Sequence, residues 1–227
     1  MTVGFDGDDT LWHNEGRFHD AQRRLCDLLA PYAVAERLKC QLLSIERRNL
    51  QLFGYGVKGF TISMIETAIE LSKGRVTAAE IARLIDLGKE MLQAPIEILP
   101  GVQETLERLT ADGRRLLLIT KGDLFDQESR IARSGLAGLF DGIEVVSEKD
   151  EATYRRVLRR HRVEPAEFLM VGNSVRSDVL PVLAVGGAAA LVPYPLLWEH
   201  EVADVPSDGA RFVQLAGLTD LPRLIGA

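Results

Sequence analysis

Short apolar segments alternate along the chain with longer amphipathic ones. The apolar segments, whose residues are mostly aliphatic or β-branched, are Thr2–Phe5, Arg115–Thr120, Ile143–Val146, Phe168–Gly172 and Ala188–Val192, with Phe212–Leu215 as a further candidate. Such runs are typical of strands that are covered on both faces. Helical spacing recurs between them at Val102–Asp112, Asp123–Ser134, Glu151–His161 and Asp178–Val185. This alternation predicts an α/β fold with a parallel sheet and helices on both faces.

A long helical insertion interrupts the alternation after the first strand. Residues 6–114 separate the first two predicted strands, which is too long for a simple crossover. Apolar residues at three- and four-residue spacing predict four helices there, at Ala21–Leu29, Glu36–Leu52, Thr61–Ser72 and Ala78–Gln93. Thr77 and Glu80 form a capping-box pattern before the last one. We therefore predict a Rossmann-like core domain at 1–14 and 96–227, and a four-helix cap domain at 15–95.

Composition excludes several classes of protein. The 227 residues are 46% hydrophobic and 26% charged, which is close to the globular average and unlike collagenous or disordered chains. The net charge of −6 argues against a broad nucleic-acid surface, so we expect no nucleic-acid partner. Two cysteines, Cys26 and Cys40, are too few for a disulfide framework.

One uncharged segment has the length of a membrane span. Residues 179–198 carry no charge, but three prolines and the Gly186–Gly187 pair divide them into short elements. The N-terminal residues show no basic region followed by an apolar stretch, as a secretory signal would. We expect a cytoplasmic protein without a membrane partner.

The densest chemical signal is a group of three carboxylates directly after the first strand. Asp6, Asp8 and Asp9 lie within four positions, and like charges at this spacing repel unless a cation is present. Mg²⁺ favours such oxygen ligands. If the extended trace continues, Asp6 and Asp8 face the same side. An Asx-rich surface turn is the alternative for this segment taken alone.

Other polar residues follow the ends of later strands. Thr120 ends the second, Lys149 follows the third, and Asn173 and Asp178 follow the fourth. Open parallel sheets bind ligands at the carboxyl ends of their strands. These residues and Asp6 are therefore expected along one rim of the sheet.

These motifs resemble those of the haloacid dehalogenase-like (HAD) hydrolase superfamily. Asp6-Gly-Asp8-Asp9-Thr10 is similar to its DxDxT motif, Thr120 to its Ser/Thr motif, Lys149 to its lysine motif, and Gly172-Asn-Ser-Val-Arg-Ser-Asp178 to its acidic motif. The helical insertion resembles the family's C1-type cap. The resemblance covers the whole chain, including the order of the motifs.

The resemblance implies a Mg²⁺-dependent enzyme that hydrolyses a small phosphate monoester in two steps. Asp6 is the expected nucleophile, which forms an aspartyl-phosphate, and Asp8 the general acid and then base. The expected metal ligands are Asp6, the backbone carbonyl of Asp8, and Asp178, with Asn173 as a further oxygen donor. Thr120 and Lys149 would bind the phosphoryl oxygens.

The chain departs from the family pattern at two positions. Asn173 stands where many relatives carry a carboxylate, which leaves more of the metal binding to Asp178. Lys149 is followed by Asp-Glu rather than by a proline-rich sequence. Lys121, directly after Thr120, is therefore a second candidate for binding phosphate.

Asp8 favours a phosphatase over a dehalogenase, because a halide leaves without a proton while an alkoxide needs one. The alternatives are a 2-haloacid dehalogenase-type hydrolase and a non-catalytic protein that binds a phosphorylated ligand. The expected partner is a small phosphorylated metabolite, and the sequence leaves open whether the chain is a monomer or a dimer.

Three further segments carry expectations outside these motifs. Residues 53–60 are a candidate specificity loop, or else an ordinary helix connection with its aromatic residues in the cap core. Trp12 and His13 are expected at the mouth of the pocket. Residues 198–201 are expected to form a loop anchored to the core.

Overall fold

The structure is a computed structural model that describes residues 1–196, 198, 201–207, 209 and 211–226. The chain divides into two compact units. One consists of Met1–Glu15 together with the chain from Ile96 onward, and the other is Gly16–Pro95. Each unit buries an apolar cluster of its own.

Residues 16–95, all of them described, are almost entirely helical. The helices are α1 (Glu15–Leu29), α2 (Ala35–Phe53), α3 (Val57–Ser72) and α4 (Ala78–Gln93). The predicted capping box is present at the start of α4, because Thr77 Oγ1 accepts from the Glu80 amide at 3.2 Å and the Glu80 carboxylate accepts from the Thr77 amide at 2.7 Å. Reciprocal bonds of this kind satisfy amides that the first helical turn leaves unpaired.

The connection between α2 and α3 is shorter than the predicted loop at 53–60. Helix α2 continues to Phe53 and α3 begins at Val57, so only residues 54–56 connect them. The Phe60 side chain is buried and packs edge-on against Phe18, with ring centroids 5.1 Å apart. Phe60 is therefore part of the core of the helical unit, in agreement with the alternative interpretation of this segment.

The other unit is built on a parallel sheet. Its described strands are β1 (Thr2–Phe5), β2 (Arg115–Lys121), β3 (Gly142–Val146), β4 (Phe168–Gly172), β5 (Ala188–Leu191) and β6 (Phe212–Gln214). They form a six-stranded sheet among the described residues, in the order β3-β2-β1-β4-β5-β6, and every pairing is parallel. The order reverses beside β1, so β1 and β4 flank a topological switch point.

Helices cover both faces of this sheet. They are α5 (Val102–Ala111), α6 (Leu124–Ser134), α7 (Glu151–His161), α8 (Leu180–Ala184) and α9 (Leu221–Leu224). Side chains alternate along the strands: Leu116 and Leu118 belong to one cluster with residues of α5, α6 and α9, whereas Leu117 and Ile119 belong to another with residues of α7 and α8. This confirms the predicted Rossmann-like α/β fold.

The segment after β4 differs from the predicted helix Asp178–Val185. A π-helical turn spans Val175–Val179, and α8 begins only at Leu180. The Ser174 hydroxyl accepts from the Ser177 amide at 3.0 Å, and Pro181 lies in the first turn of α8. The serine cap and the proline thus set separate starts for the two turns.

Among the described residues, no helix combines the length and the apolar composition needed to cross a bilayer. The uncharged segment at 179–198 forms α8, the strand β5 and connecting loops, as far as it is described.

Gly4 of β1 allows a test of how closely the side chains around this strand are packed. A Cβ atom at this position would lie 2.6 Å from the buried Phe168 ring and 3.1 Å from Met170 Sδ. We expect Gly4→Ala to lower the free energy of unfolding by about 1–3 kcal/mol, as overpacked cores do. Urea denaturation measures this. Gly138→Ala is the control, because nothing lies within 4 Å of a Cβ atom at that position. An equal loss of unfolding free energy in both variants would contradict the close packing at Gly4.

Candidate active site

The end of β1 presents the carboxylate of Asp6 at the switch point of the sheet. The Asp6 amide continues the sheet by donating to the Val171 carbonyl at 2.9 Å. The chain then turns, and the Gly7 carbonyl accepts from the Leu11 amide at 2.8 Å. A Cβ at Gly7 would lie 2.8 Å from the Trp12 ring, so only glycine fits this close approach. Asp6 is buried, and the Thr10 hydroxyl donates to its Oδ2 at 3.2 Å.

The Lys149 ammonium lies between two carboxylates. Its Nζ donates to Asp6 Oδ1 and lies 2.7 Å from Asp178 Oδ1, and its side chain is 2% exposed. Burial alone would lower the pKa of Lys149, but the Asp178 and Asp6 charges outweigh burial and raise this pKa above its ordinary value. Burial raises the pKa of Asp6 to about 7, although Lys149 acts in the opposite direction. The lysine thus stays charged and offsets the repulsion between the two acids.

Asp178 reaches this point because the π-helical turn holds it against the end of β4. Its Oδ2 accepts from the Ser174 amide at 3.0 Å, and its side chain is 1% exposed. A Cβ at Gly172 would lie 2.2 Å from Asp178 Oδ2. Gly172 therefore leaves the space that the carboxylate occupies.

Asp8 is held on both carboxylate oxygens. The Trp12 indole donates to Oδ1 at 2.7 Å, Arg130 lies 3.2 Å from the same oxygen, and Gln127 Nε2 donates to Oδ2 at 2.9 Å. The prediction that Trp12 lies at the pocket mouth is wrong: its side chain is fully buried, because the indole N–H turns inward to Asp8. His13 contacts the Tyr194 hydroxyl through Nδ1 at 2.6 Å.

Two threonine hydroxyls connect further residues to these aspartates. Thr120 Oγ1 donates to Gln127 Oε1 at 3.3 Å. The Thr10 hydroxyl, which contacts Asp6, lies 3.4 Å from Asn173 Oδ1. The structure therefore brings Asp6, Asp178 and Lys149 into direct contact and links Asp8 to Thr120 through Gln127.

Asp9 has a different environment from its two neighbours. It adopts a left-handed conformation with φ of 63°, and its carboxylate accepts from the Asn14 amide at 2.8 Å and the Glu15 amide at 3.0 Å. Glu15 is the first residue of α1, so Asp9 satisfies an amide that the start of this helix leaves unpaired.

Lys121 lies in a second polar cluster. Its Nζ is 2.5 Å from Glu201 Oε1 and 3.1 Å from Ser177 Oγ. Glu201 Oε2 in turn accepts from the Ser174 and Ser177 hydroxyls, each at 2.5 Å. Glu201 thus anchors the predicted loop at 198–201, of which residues 199 and 200 lie outside the described part of the chain. Burial raises the pKa of Glu201, but Lys121 and both serines outweigh it and lower this pKa to about 2.

Four residues of this arrangement lie outside the sequence motifs: Trp12, Gln127, Arg130 and Glu201. Gln127 and Arg130 are buried polar residues on α6, and their spacing of three positions is the signal that places both on one helix face. Trp12 follows the acidic motif directly. Glu201 is separated from its partner Lys121 by 80 positions, and no motif marks it.

The oxygen donors suit a Mg²⁺ ion. No group of three or more His, Cys, Asp or Glu side chains within the described residues is arranged as a metal centre. Asp6 and Asp178, which share Lys149, offer two carboxylates. Mg²⁺ commonly takes one or two carboxylates and completes its octahedron with waters and substrate phosphate, so the pair fits this ion.

The family model described as haloacid dehalogenase-like hydrolase matches residues 1–186 of the chain. The chain belongs to this family of hydrolases. This chain is also similar to a haloacid dehalogenase-like family hydrolase from Xanthomonas campestris, whose crystal structure is known. The two are 44% identical, the match covers 100% of this chain and 90% of the other, and the TM-score is 0.90.

Two other proteins resemble this HAD-like hydrolase less closely. The glyceraldehyde 3-phosphate phosphatase of Pyrococcus furiosus is 30% identical over 131 residues, which cover 56% of this chain and 52% of that protein. The match thus spans about half the length of that relative. A 2-haloacid dehalogenase from Pseudomonas syringae shares the fold, with a TM-score of 0.65 and 23% identity over 100% of this chain and 99% of the other.

The Glu201 cluster predicts how stability depends on pH. The difference between the ordinary pKa of 4.5 and the folded value of about 2, at about 1.4 kcal/mol per pKa unit, corresponds to about 3 kcal/mol. Because the folded pKa is lowered, this stabilisation is present above pH 4.5 and is lost as the pH falls towards 2. We expect Glu201→Gln to lower the free energy of unfolding by about 3 kcal/mol at pH 7, and progressively less in acid.

Urea denaturation between pH 7 and pH 3 measures this difference. Glu151→Gln is the control, because it removes an exposed ion pair with Arg155 and should cost less than about 1 kcal/mol. If the free energies of unfolding of the Glu201 variant and the wild type differed by the same amount at every pH, this would contradict the ion pair between Glu201 and Lys121.

Proposed function

We propose that this HAD-like hydrolase is a Mg²⁺-dependent phosphatase that hydrolyses a small phosphate monoester through an aspartyl-phosphate on Asp6. The observation that carries the proposal is the geometry around Asp6. Its carboxylate lies at the switch point of the sheet, Lys149 joins it to Asp178, and Asp8 follows two positions later in a separate network. The similarity to a phosphatase from Pyrococcus furiosus supports a phosphate ester as the substrate.

In the first step, an Asp6 oxygen attacks phosphorus while the bond from phosphorus to the leaving oxygen breaks. Asp8 donates a proton to that oxygen, which departs as an alcohol. In the second step, Asp8 takes a proton from the attacking water, and the bond between phosphorus and Asp6 breaks. Asp6 returns to a free carboxylate and inorganic phosphate leaves, so each residue ends in its starting state.

Positive charge and hydrogen-bond donors would hold the phosphoryl group. Lys149 has three ammonium protons, of which the described structure uses two for Asp6 and Asp178, so the third can reach a phosphoryl oxygen. Thr120 would turn its hydroxyl from Gln127 towards the phosphate. The Lys121 ammonium already contacts three acceptors, on Glu201, Ser177 and Glu148. We therefore assign the ammonium contact with phosphate to Lys149.

Asp6, Asp178, the carbonyl of Asp8 and the amide oxygen of Asn173 would hold Mg²⁺. When bound, the ion supplies positive charge that reduces the repulsion between the Asp6 carboxylate and the anionic substrate. Asn173 is neutral, so the protein ligands of the site would carry two side-chain charges, both from aspartates.

The alternatives explain fewer of these contacts. Halide departure requires no proton, so a dehalogenase has no use for an acid two positions after its nucleophile. A protein that only binds a phosphorylated ligand needs neither a buried nucleophile nor a separately held Asp8. The dehalogenase from Pseudomonas syringae shares the fold alone at its level of identity.

Hydrolysis of p-nitrophenyl phosphate tests the proposal. We expect turnover with Mg²⁺, loss of turnover with EDTA, and at least about a thousandfold lower kcat in Asp6→Asn, because the nucleophile is removed. Asp86→Asn, which removes an exposed ion pair with Lys89, is the matched control and should retain wild-type turnover. Chloride release from 2-chloropropionate, or turnover that survives in Asp6→Asn, would overturn the proposal.

Substitutions of Asp8 and Asp178 should affect different properties, kcat in the first case and Mg²⁺ affinity in the second. We expect Asp8→Asn to lower kcat about 10²- to 10⁴-fold because the acid is lost, while Mg²⁺ affinity measured by calorimetry stays near the wild-type value. Asp178→Asn should weaken Mg²⁺ binding at least about tenfold. Equal losses of Mg²⁺ affinity in both variants would contradict this division of roles.

A further inference from the structure

Helix α6 presents three buried polar side chains to the candidate site, which is a costly arrangement unless each is paired. Asp126, Gln127 and Arg130 are all less than 5% exposed. Asp126 Oδ1 accepts from Arg130 Nε at 3.1 Å and balances the charge of the guanidinium. Arg130 Nη1 then contacts Asp8 Oδ1 at 3.2 Å and also donates to the Asn14 side chain.

Gln127 connects two residues of the proposed mechanism. Its Oε1 accepts from the Thr120 hydroxyl at 3.3 Å, and its Nε2 donates to Asp8 Oδ2 at 2.9 Å. A side-chain amide can accept from a hydroxyl and donate to a carboxylate at the same time. Gly122 leaves room for it, because a Cβ there would lie 2.8 Å from Gln127 Nε2.

The donors around Asp8 are divided unequally between its two oxygens. Oδ1 accepts from Trp12 and Arg130, which fills both of its lone-pair positions. Oδ2 accepts from Gln127 alone among the described residues. A carboxylate offers about four lone-pair positions, so one position remains, on Oδ2.

We propose that Gln127 and Arg130 are positioning residues that direct proton exchange to Oδ2 of Asp8. This inference rests on the proposed function, since it assigns Asp8 a proton. The proton would leave Oδ2 for the departing oxygen as its bond to phosphorus breaks, and the same oxygen would take a proton from water in the second step. Trp12 and Arg130 hold Oδ1 throughout, while the Gln127 amide fixes the rotation of the carboxyl group.

A series of substrates with different leaving groups tests this role. Gln127→Leu removes the bonds of the amide to Thr120, to Asp8 and to the Lys121 carbonyl. Gln127→Glu keeps the size of the side chain but replaces the donor to Asp8 by an acceptor. Poor leaving groups depend on protonation more than acidic ones do. We expect both variants to lose about 10- to 100-fold more kcat/KM with an alkyl phosphate such as glycerol phosphate than with p-nitrophenyl phosphate. Aryl phosphates of intermediate acidity should fall between these limits.

The controls separate this inference from the proposed function. Gln103→Leu, at an exposed residue that donates to Glu107, should leave the dependence on the leaving group unchanged. Thermal melting establishes that each variant is folded, and Arg130→Lys, which keeps the charge, serves if both Gln127 variants unfold. Equal losses for all leaving groups in the folded variants would overturn the positioning role. Activity retained by Asp8→Asn with the alkyl phosphate would instead overturn the proposed function.

Discussion

The buried ion triad of Asp6, Lys149 and Asp178 is the interaction on which the site depends. Two carboxylates at adjacent strand ends repel strongly in a poorly solvated position, and the Lys149 ammonium between them reduces that repulsion. The parallel order of β1 and β4 brings the two acids together, and Gly172 provides the space for Asp178. The fold thus creates an electrostatic cost at this point and also places the cation that offsets it.

A second network surrounds Asp8 and differs in character from the first. The triad around Asp6 is almost free of solvent, whereas the Asp8 side chain is 21% exposed. The partners of Asp8 are Trp12, four positions later in the chain, and two residues of α6. Gln127 joins the two strand ends of β1 and β2 through one amide. Asp6 and Asp8 therefore have separate supports, which would allow the two carboxylates to take the different roles that we propose for them.

Much of this arrangement could be predicted from sequence because strand ends carry their chemistry locally. An apolar run followed by Asp6, or by Thr120, predicts both the element and the rim of the sheet on which the side chain lies. The partners of Asp8 and Lys121 could not be predicted in this way, since Gln127, Arg130 and Glu201 reach the site through tertiary packing. The π-helical turn could not be predicted either. Val175, Val179 and Val182 have the spacing of an α-helix, and the wider hydrogen bonding of a π-helical turn does not appear in the sequence.

Glu201 lies outside residues 1–186, the part of the chain that matches the family. Each motif of the HAD-like hydrolase falls within that part, but the carboxylate that neutralises Lys121 and binds Ser174 and Ser177 does not. A relative could therefore keep the full set of motifs and still lack the carboxylate that joins the Lys121 ammonium to both serine hydroxyls. When other sequences are compared with this one, an acidic residue after the fifth strand indicates whether this polar cluster is kept.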